Sequence, residues 1–111
     1  MLHDFGTRAT AVKHAQLRMN CSKLNAHLYD LHVADSPECA CGFDTEDTNH
    51  YLLHCPLYMH ERNIVFRELN SIGVYNIDVD ILTKGSKEID DKRNMEVFSL
   101  VHQYIEETDR L

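Results

Sequence analysis

CACGFDTEDTNHYLLHC, residues 39 to 55, sets three cysteines and one histidine in the pattern C-x-C-x8-H-x4-C. Three sulfurs and one imidazole make up a common structural zinc set: the ion prefers a tetrahedron, and thiolate is a softer donor than the nearby carboxylates. The spacing therefore nominates Cys39, Cys41, His50 and Cys55 as ligands to Zn2+. Two cysteines one residue apart need a tight turn. Gly42 suits it, because a residue without Cβ lets the backbone bend there and offer amides to the sulfurs. Three thiolates and Zn2+ sum to −1, and four protein ligands leave no position for water, so such a centre is closed and structural.

The fourth ligand is open at this level. His50 and His54 are four residues apart and share a helix face, whereas an ideal helix turns Cys55 about 140° away from His50. Pro56 acts in the other direction, because it disfavours helical conformation at residue 55 and frees the Cys55 sulfur to swing back. Cys55 is taken as the ligand, with His54 as its substitute or as a group bonded to a ligand. HYLLH also invites comparison with the H-E-x-x-H of zinc proteases. Tyr51 stands where the general base would be, so that chemistry has no carrier. Asp78 and Asp80 read as an acidic helix start, and neither a phosphate-binding glycine loop nor a nucleophile elbow occurs. The expectation is a protein that is not an enzyme.

Working outward, Thr10 to Leu31 has no Pro or Gly, and Val12, Ala15, Leu17, Met19, Leu24, Leu28 and Leu31 recur mostly three to five apart. This predicts helix, broken near Asn20 to Ser22, with Ser22 as cap of the second piece. Ala34 to Asp44 is turn-rich, and Thr45 is placed to cap a short helix that ends at Cys55. Pro56 opens the next helix, in which Tyr58, Arg62, Val65, Phe66, Leu69 and Ile72 share a face up to Gly73. One or two turns are expected around Asp78 to Lys84. A last helix from Asp90 or Asp91 turns Met95, Phe98, Val101, Tyr104 and Ile105 to the core. Arg62 is expected to reach the acidic loop Asp44 to Asp47 or the zinc centre, an exposed, unpaired side chain being the equal alternative. Tyr29, Tyr51, Tyr58 and Tyr104 read as core edge rather than as platforms for stacked bases. The whole is a mainly α, small helical domain built around a CCHC zinc knuckle loop. It forms a single domain over 1–111, with lead-in helices at 10–31, the knuckle at 36–56 and C-terminal helices at 57–111.

Composition bounds the function. The chain has 111 residues, 11 Lys and Arg against 18 Asp and Glu, and a formal net charge of −7. That length excludes a large catalytic scaffold. Residues 1–30 carry a balance of +2 from Arg8, Lys13, Arg18 and Lys23 against two acids, and the remainder carries −9. The basic residues are candidates for contact with RNA or DNA phosphate, a solvated helix face being the plainer alternative, and overall acidity keeps any such binding weak. The acidic remainder suggests a different role, a zinc-stabilised adaptor for a protein partner. The longest apolar runs fall far short of the roughly 20 residues of a membrane span, and the start has no apolar leader core. Reduced thiols and an intracellular location, nuclear or cytoplasmic, are the expectation.

LRMNCSKLNAHL (17 to 28) resembles an L-R-x-x-C/H-S-x-L-N-x-x-L lead-in, and SPECACGFDTEDTNHYLLHCPLYMHER (36 to 62) resembles S-P-x-C-x-C-G followed by E-(D/T)-x-x-H-x-L-x-x-C-P and a terminal R. ILTKG (81 to 85) and VHQYIEETDRL (101 to 111) are similar to weaker L-x-x-G and Y-I-x-x-T-x-R closing patterns. These belong to the C-terminal zinc-knuckle region of reverse transcriptases from non-LTR retrotransposons. The resemblance implies zinc ligands at Cys39, Cys41, His50 and Cys55, none at Cys21, and an accessory module that contacts template RNA or target DNA or supports a polymerase fold. No Y-x-D-D polymerase motif occurs, since YNID at 75 to 78 is not one. The chain looks like such a tail standing as a separate reading frame, a fragment or a co-opted small protein.

Overall fold

The computed structural model describes residues 8–111, so the first seven residues of the expected single domain, which also open the start read for a leader, lie outside it. Five α-helices follow in order: α1 (Arg8–Arg18), α2 (Asn25–Asp30), α3 (Met59–Ser71), α4 (Val79–Lys84) and α5 (Asp91–Thr108). Between α2 and α3 lie the knuckle, one π turn (His50–His54) and a 3-10 turn (Pro56–Tyr58). No strand occurs among the described residues, so the protein is mainly α. No helix is long and apolar enough to cross a membrane.

α5 is the axis. Asp90 caps it by accepting from the Arg93 amide at 2.8 Å, and it ends at Asp109 in left-handed conformation, φ 50°. Val97, Val101, Tyr104 and Ile105 form its buried stripe, and α1, α3 and α4 pack around it. Val97 is fully buried, whereas the expected core residue Met95 is 55% exposed. Val101, Tyr104 and Ile105 are buried and Phe98 packs against the core as expected; Met95 alone is misplaced, because position 97 falls in line with 101 and 105 and 95 does not. α3 contributes Arg62, Val65 and Leu69 and ends where Gly73 takes φ +87°, as the spacing predicts. Asp78 caps α4 through the Ile81 amide at 2.9 Å, and Asp80 is exposed beside Lys84.

α1 departs from the expectation. Val12 and Met19 are half or more exposed, as is Leu31 beyond α2, and the buried face of α1 is Thr10, His14 and Leu17. The cause lies in α4, a helix of six residues whose last carbonyls lack intrahelical partners. Nε2 of His14 lies 2.8 Å from the Leu82 carbonyl and Arg18 Nη1 donates to the Thr83 carbonyl at 3.1 Å. A carbonyl only accepts, so Nε2 of His14 carries the proton and Nδ1 accepts from Nε2 of His102, 2.9 Å away. Thr10 donates to Glu106 one turn further along α5, at 2.9 Å. Helix α1 is docked by hydrogen bonds as much as by apolar contact.

Burial holds the His14 pKa down at about 4, the Leu82 carbonyl opposing it and electrostatic interactions with His102 and Arg18 acting in the same direction as burial. In the unfolded chain the imidazole gains its proton near pH 6.5. The stability that neutral His14 contributes is therefore complete above pH 6.5 and is lost as the pH falls to about 4, a change of about 3 kcal/mol. In urea unfolding at pH 7 and at pH 4.5, which spans most of that range, wild type is expected to lose about 2 kcal/mol more than His14→Gln. Equal losses in the two proteins would remove this account of α1.

Ser22 does not cap α2 as expected. Its Oγ accepts from the Leu24 amide at 3.2 Å and bonds Nδ1 of His27 at 2.7 Å, so it closes the break between the helices rather than starting the second. The start of α2 is held from the knuckle instead: the Glu46 carboxylate accepts from the Asn25 amide at 2.8 Å, and the Glu46 carbonyl from the Ala26 amide at 3.0 Å.

Candidate metal centre

Two short pieces of backbone build the site. In the first, the Gly42 amide donates to the Cys39 carbonyl at 2.9 Å, and the Cys39 amide to the Phe43 carbonyl at 2.9 Å. This turn folds Cys39 and Cys41 toward one point. Gly42 has φ +99°, and a Cβ there would meet nothing within 4 Å. Its requirement is thus conformational, not steric against neighbours.

The second piece is the helical turn after it. Asp47, not Thr45, is the capping residue: its carboxylate accepts from the His50 amide three residues on, at 2.8 Å. The turn then widens, and the Cys55 amide donates to the His50 carbonyl at 2.7 Å, an i to i+5 bond. That widening disposes of the 140° objection to Cys55, since a π turn stacks residue 55 over residue 50 where an α turn would have stacked His54. Residue 55 itself is extended, φ −63° and ψ 121°, as Pro56 demands. His54 is left exposed.

Cys39, Cys41, His50 and Cys55 come together as a result, with one donor atom from each lying within 4.8 Å of all the others. The Cys39 and Cys55 sulfurs are 3.7 Å apart, and Sγ of Cys41 is 3.3 Å from Nε2 of His50. A sulfur separation of 3.7 Å is no disulfide, whose bond is about 2.05 Å. It does match the edge of a zinc tetrahedron, where two thiolates each about 2.3 Å from the ion stand roughly 3.8 Å apart. Nδ1 of His50 is buried without a hydrogen-bond partner among the described residues. Phe43 stacks on the His50 ring, centroids 4.6 Å apart and planes within 6°, which fixes the imidazole plane. Cys21 is exposed in the break after α1 and takes no part.

Without an ion these donors are poorly matched. Burial pushes the Cys39 thiol up to about 12 and also raises Cys55, while the Phe43 backbone bond holds Cys41 below its ordinary value. Burial lowers His50 and keeps the imidazole neutral, the form that ligates a metal. The donor set, the unpartnered ring nitrogen and the 3.7 Å sulfur separation fit a soft divalent cation, while the Glu46 and Asp47 carboxylates of the loop serve other donors.

Those commitments form the surroundings of the site. Glu46, 2% exposed, is gripped by Arg110, whose Nε donates to Oε2 at 2.8 Å and whose Nη2 reaches Oε1. Arg62 is buried too, but it does not reach the acidic loop as one alternative had it. Its Nη2 donates to the Cys55 carbonyl at 2.7 Å and its Nη1 to the Tyr104 hydroxyl at 3.4 Å. Tyr51, Tyr58 and Tyr104 form a cluster of rings behind the turn, with the Tyr104 hydroxyl donating to the Tyr51 carbonyl at 2.6 Å. Tyr51 is fully buried, and Tyr29 is 46% exposed. Glu46 and Arg110 were missed by reading spacings. Arg110 did stand in the closing pattern, but nothing local tied it to a loop 64 residues earlier.

The four basic candidates are not gathered in the same way. Arg8, Lys13 and Arg18 follow at five-residue intervals along α1, and each step rotates the side chain about 140° around a helix. Arg18 is engaged with Thr83, and Lys23 is exposed beyond the break.

No family model matches the chain, and no solved structure matches it. Among curated proteins, the retrovirus-related Pol polyprotein from type-1 retrotransposable element R1 3 of Nasonia vitripennis is 39% identical over 56 residues, which is 50% of this chain and 13% of the polyprotein. The chain is thus similar, over half its length, to a small segment of a retrotransposon Pol polyprotein, and it folds as a helical domain that gathers a Cys3His cluster.

Proposed function

We propose that this chain is a non-enzymatic zinc module of the kind found in the tail of a retrotransposon reverse transcriptase, with Cys39, Cys41, His50 and Cys55 as the ligands of Zn2+. The carrying observation is the convergence of those four donors within 4.8 Å from two separate pieces of backbone. Bound there, zinc supplies a closed structural cross-link between the 39–42 turn and the start of α3. The chain's own residues do the rest: Phe43 orients the imidazole, Arg62 holds the Cys55 carbonyl, and Glu46 ties the loop to α2. Similarity to the polyprotein segment supports the retroelement assignment.

The reading includes a weak contact between the N-terminal basic residues and RNA or DNA, kept weak by the net charge of −7. Native mass spectrometry of the purified protein tests the first part, and one zinc ion per chain is the expected result. A gel-shift titration with single-stranded RNA tests the second. Four phosphate contacts predict an affinity that falls roughly fifty-fold between 50 and 200 mM salt. No retardation at either salt would remove nucleic acid from the reading and leave a zinc-stabilised helical adaptor for a protein partner.

A further inference from the structure

Glu46 is the one acidic side chain buried among the described residues, and its Oε2 lies 3.9 Å from Sγ of Cys39. With zinc bound, three thiolates and the ion already carry −1. A second uncompensated anion at that distance would push against the Cys39 sulfur in a site largely shielded from water. Two arginines stand against this charge. Arg62 approaches through the Cys55 carbonyl, and Arg110 lies directly on Glu46. The same Arg110 Nη2 also donates to the Lys23 carbonyl at 3.2 Å and to Oδ1 of Asn25 at 3.3 Å, while Nδ2 of Asn25 donates to the Glu38 carbonyl at 2.7 Å. One guanidinium beyond the end of α5 thereby joins both borders of the knuckle.

The approach of Arg110 is prepared by the end of the helix before it. Tyr104 bonds the Tyr51 carbonyl, and Oγ1 of Thr108 meets the Tyr51 hydroxyl at 2.6 Å, so two turns of α5 are fastened to the π turn. Asp109 then takes the left-handed conformation, and the chain turns back along the knuckle.

We infer that Arg110 is a positioning residue of the metal centre: by neutralising Glu46 it lets that carboxylate hold the loop without repelling the Cys39 thiolate, so that zinc is held tightly only while the segment after α5 is docked. This rests on the zinc reading above and adds a control of affinity that lies 55 residues beyond the last ligand.

The test is the Zn2+ affinity of the full chain, by competition with a chromophoric chelator, together with the thiolate-to-metal absorption of the Co2+-loaded protein. Arg110→Met is expected to weaken zinc by about 10- to 100-fold, the usual range for partners of ligands, and to diminish the cobalt–thiolate band. Glu46→Gln with Arg110→Met removes both charges and is expected to return the affinity to within a few-fold of wild type. Val97→Ala, a core truncation in the upper half of α5, reports what lost stability alone does to affinity. If Arg110→Met does not fold, Arg110→Gln keeps a donor to Glu46 without the charge and carries the same expectation.

Unchanged affinity in the Arg110 variants overturns the inference. So does a loss matched by Val97→Ala, or a double variant no better than Arg110→Met alone. Wild-type protein that takes up no zinc would instead overturn the metal reading on which the inference stands.

Discussion

Cys55→Ser is expected to lose both the zinc ion and the cooperative thermal transition, while His54→Ala keeps both. The magnitudes decide this. Structural zinc sites in small peptides contribute about 10–16 kcal/mol of apparent binding energy, and a whole small domain is stable by roughly 5–15 kcal/mol. Removing one of four ligands therefore takes away an energy comparable to everything that keeps the chain folded. Cys55 is fully buried, so a serine hydroxyl in its place is taken out of water. His54 is exposed, and a surface change away from caps and ion pairs moves stability by about 0.5 kcal/mol or less. Native mass spectrometry counts the metal, and circular dichroism follows the melt before and after a strong chelator. A zinc-loaded Cys55→Ser, or a zinc-free His54→Ala, would reassign the fourth ligand.

The second large effect is expected at Arg62. It sits in the core at 6% exposure, with no carboxylate against it and two acceptors served, the Cys55 carbonyl and the Tyr104 hydroxyl. Arg62→Met fills much of the volume but removes the charged donor at 2.7 Å and leaves the Cys55 carbonyl only the 3.3 Å bond from the Tyr58 amide, a loss of about 1.5–3 kcal/mol. Loss of a positive charge beside an anionic centre adds to this. For a domain of this size, about 3 kcal/mol lowers Tm by roughly 12–20 °C. Arg67→Met, on an exposed position of the same helix, serves as the comparison and is expected to melt with wild type. If the two variants melt together, Arg62 is a passenger in the core.

Both effects trace to one feature of local structure. An α turn over 50–54 would have stacked His54 on His50 and pointed Cys55 elsewhere. Asp47 starts the turn, Pro56 keeps residue 55 from continuing it, and Arg62 shares the Cys55 carbonyl with the Tyr58 amide. The turn relaxes into an i to i+5 bond, and the sulfur reaches the site. Of the three causes the Pro56 effect was read from the sequence, whereas the cap was expected at Thr45 and Arg62 was expected toward the acidic loop or the zinc centre. Helix spacing alone favoured His54 over Cys55 as the partner of His50.

The same division runs through the fold. Caps at Asp78 and Asp90, the stop at Gly73 and the break near Asn20 were all readable, because each depends on a few neighbouring residues and the backbone bonds they offer or deny. The Cys3His pattern was readable for the same reason, its four donors lying within seventeen positions. The burial of His14, Thr10 and Val97 was not, nor was the exposure of Val12, Met19 and Met95. Those outcomes depend on which carbonyls a short α4 leaves unserved and on what α1 and α5 present to them.

Local chemistry thus determined, from the order of residues alone, that the chain is helical, where its helices begin and end, and which side chains are suited to hold a metal. Tertiary structure decided the rest: a π turn in place of an α turn, a polar rather than apolar face on α1, and the pairing of Glu46 with Arg110 across 64 residues. A cap or a ligand spacing is a short-range matter of backbone geometry. A buried charge finds its partner only when distant segments have packed and water has been excluded between them.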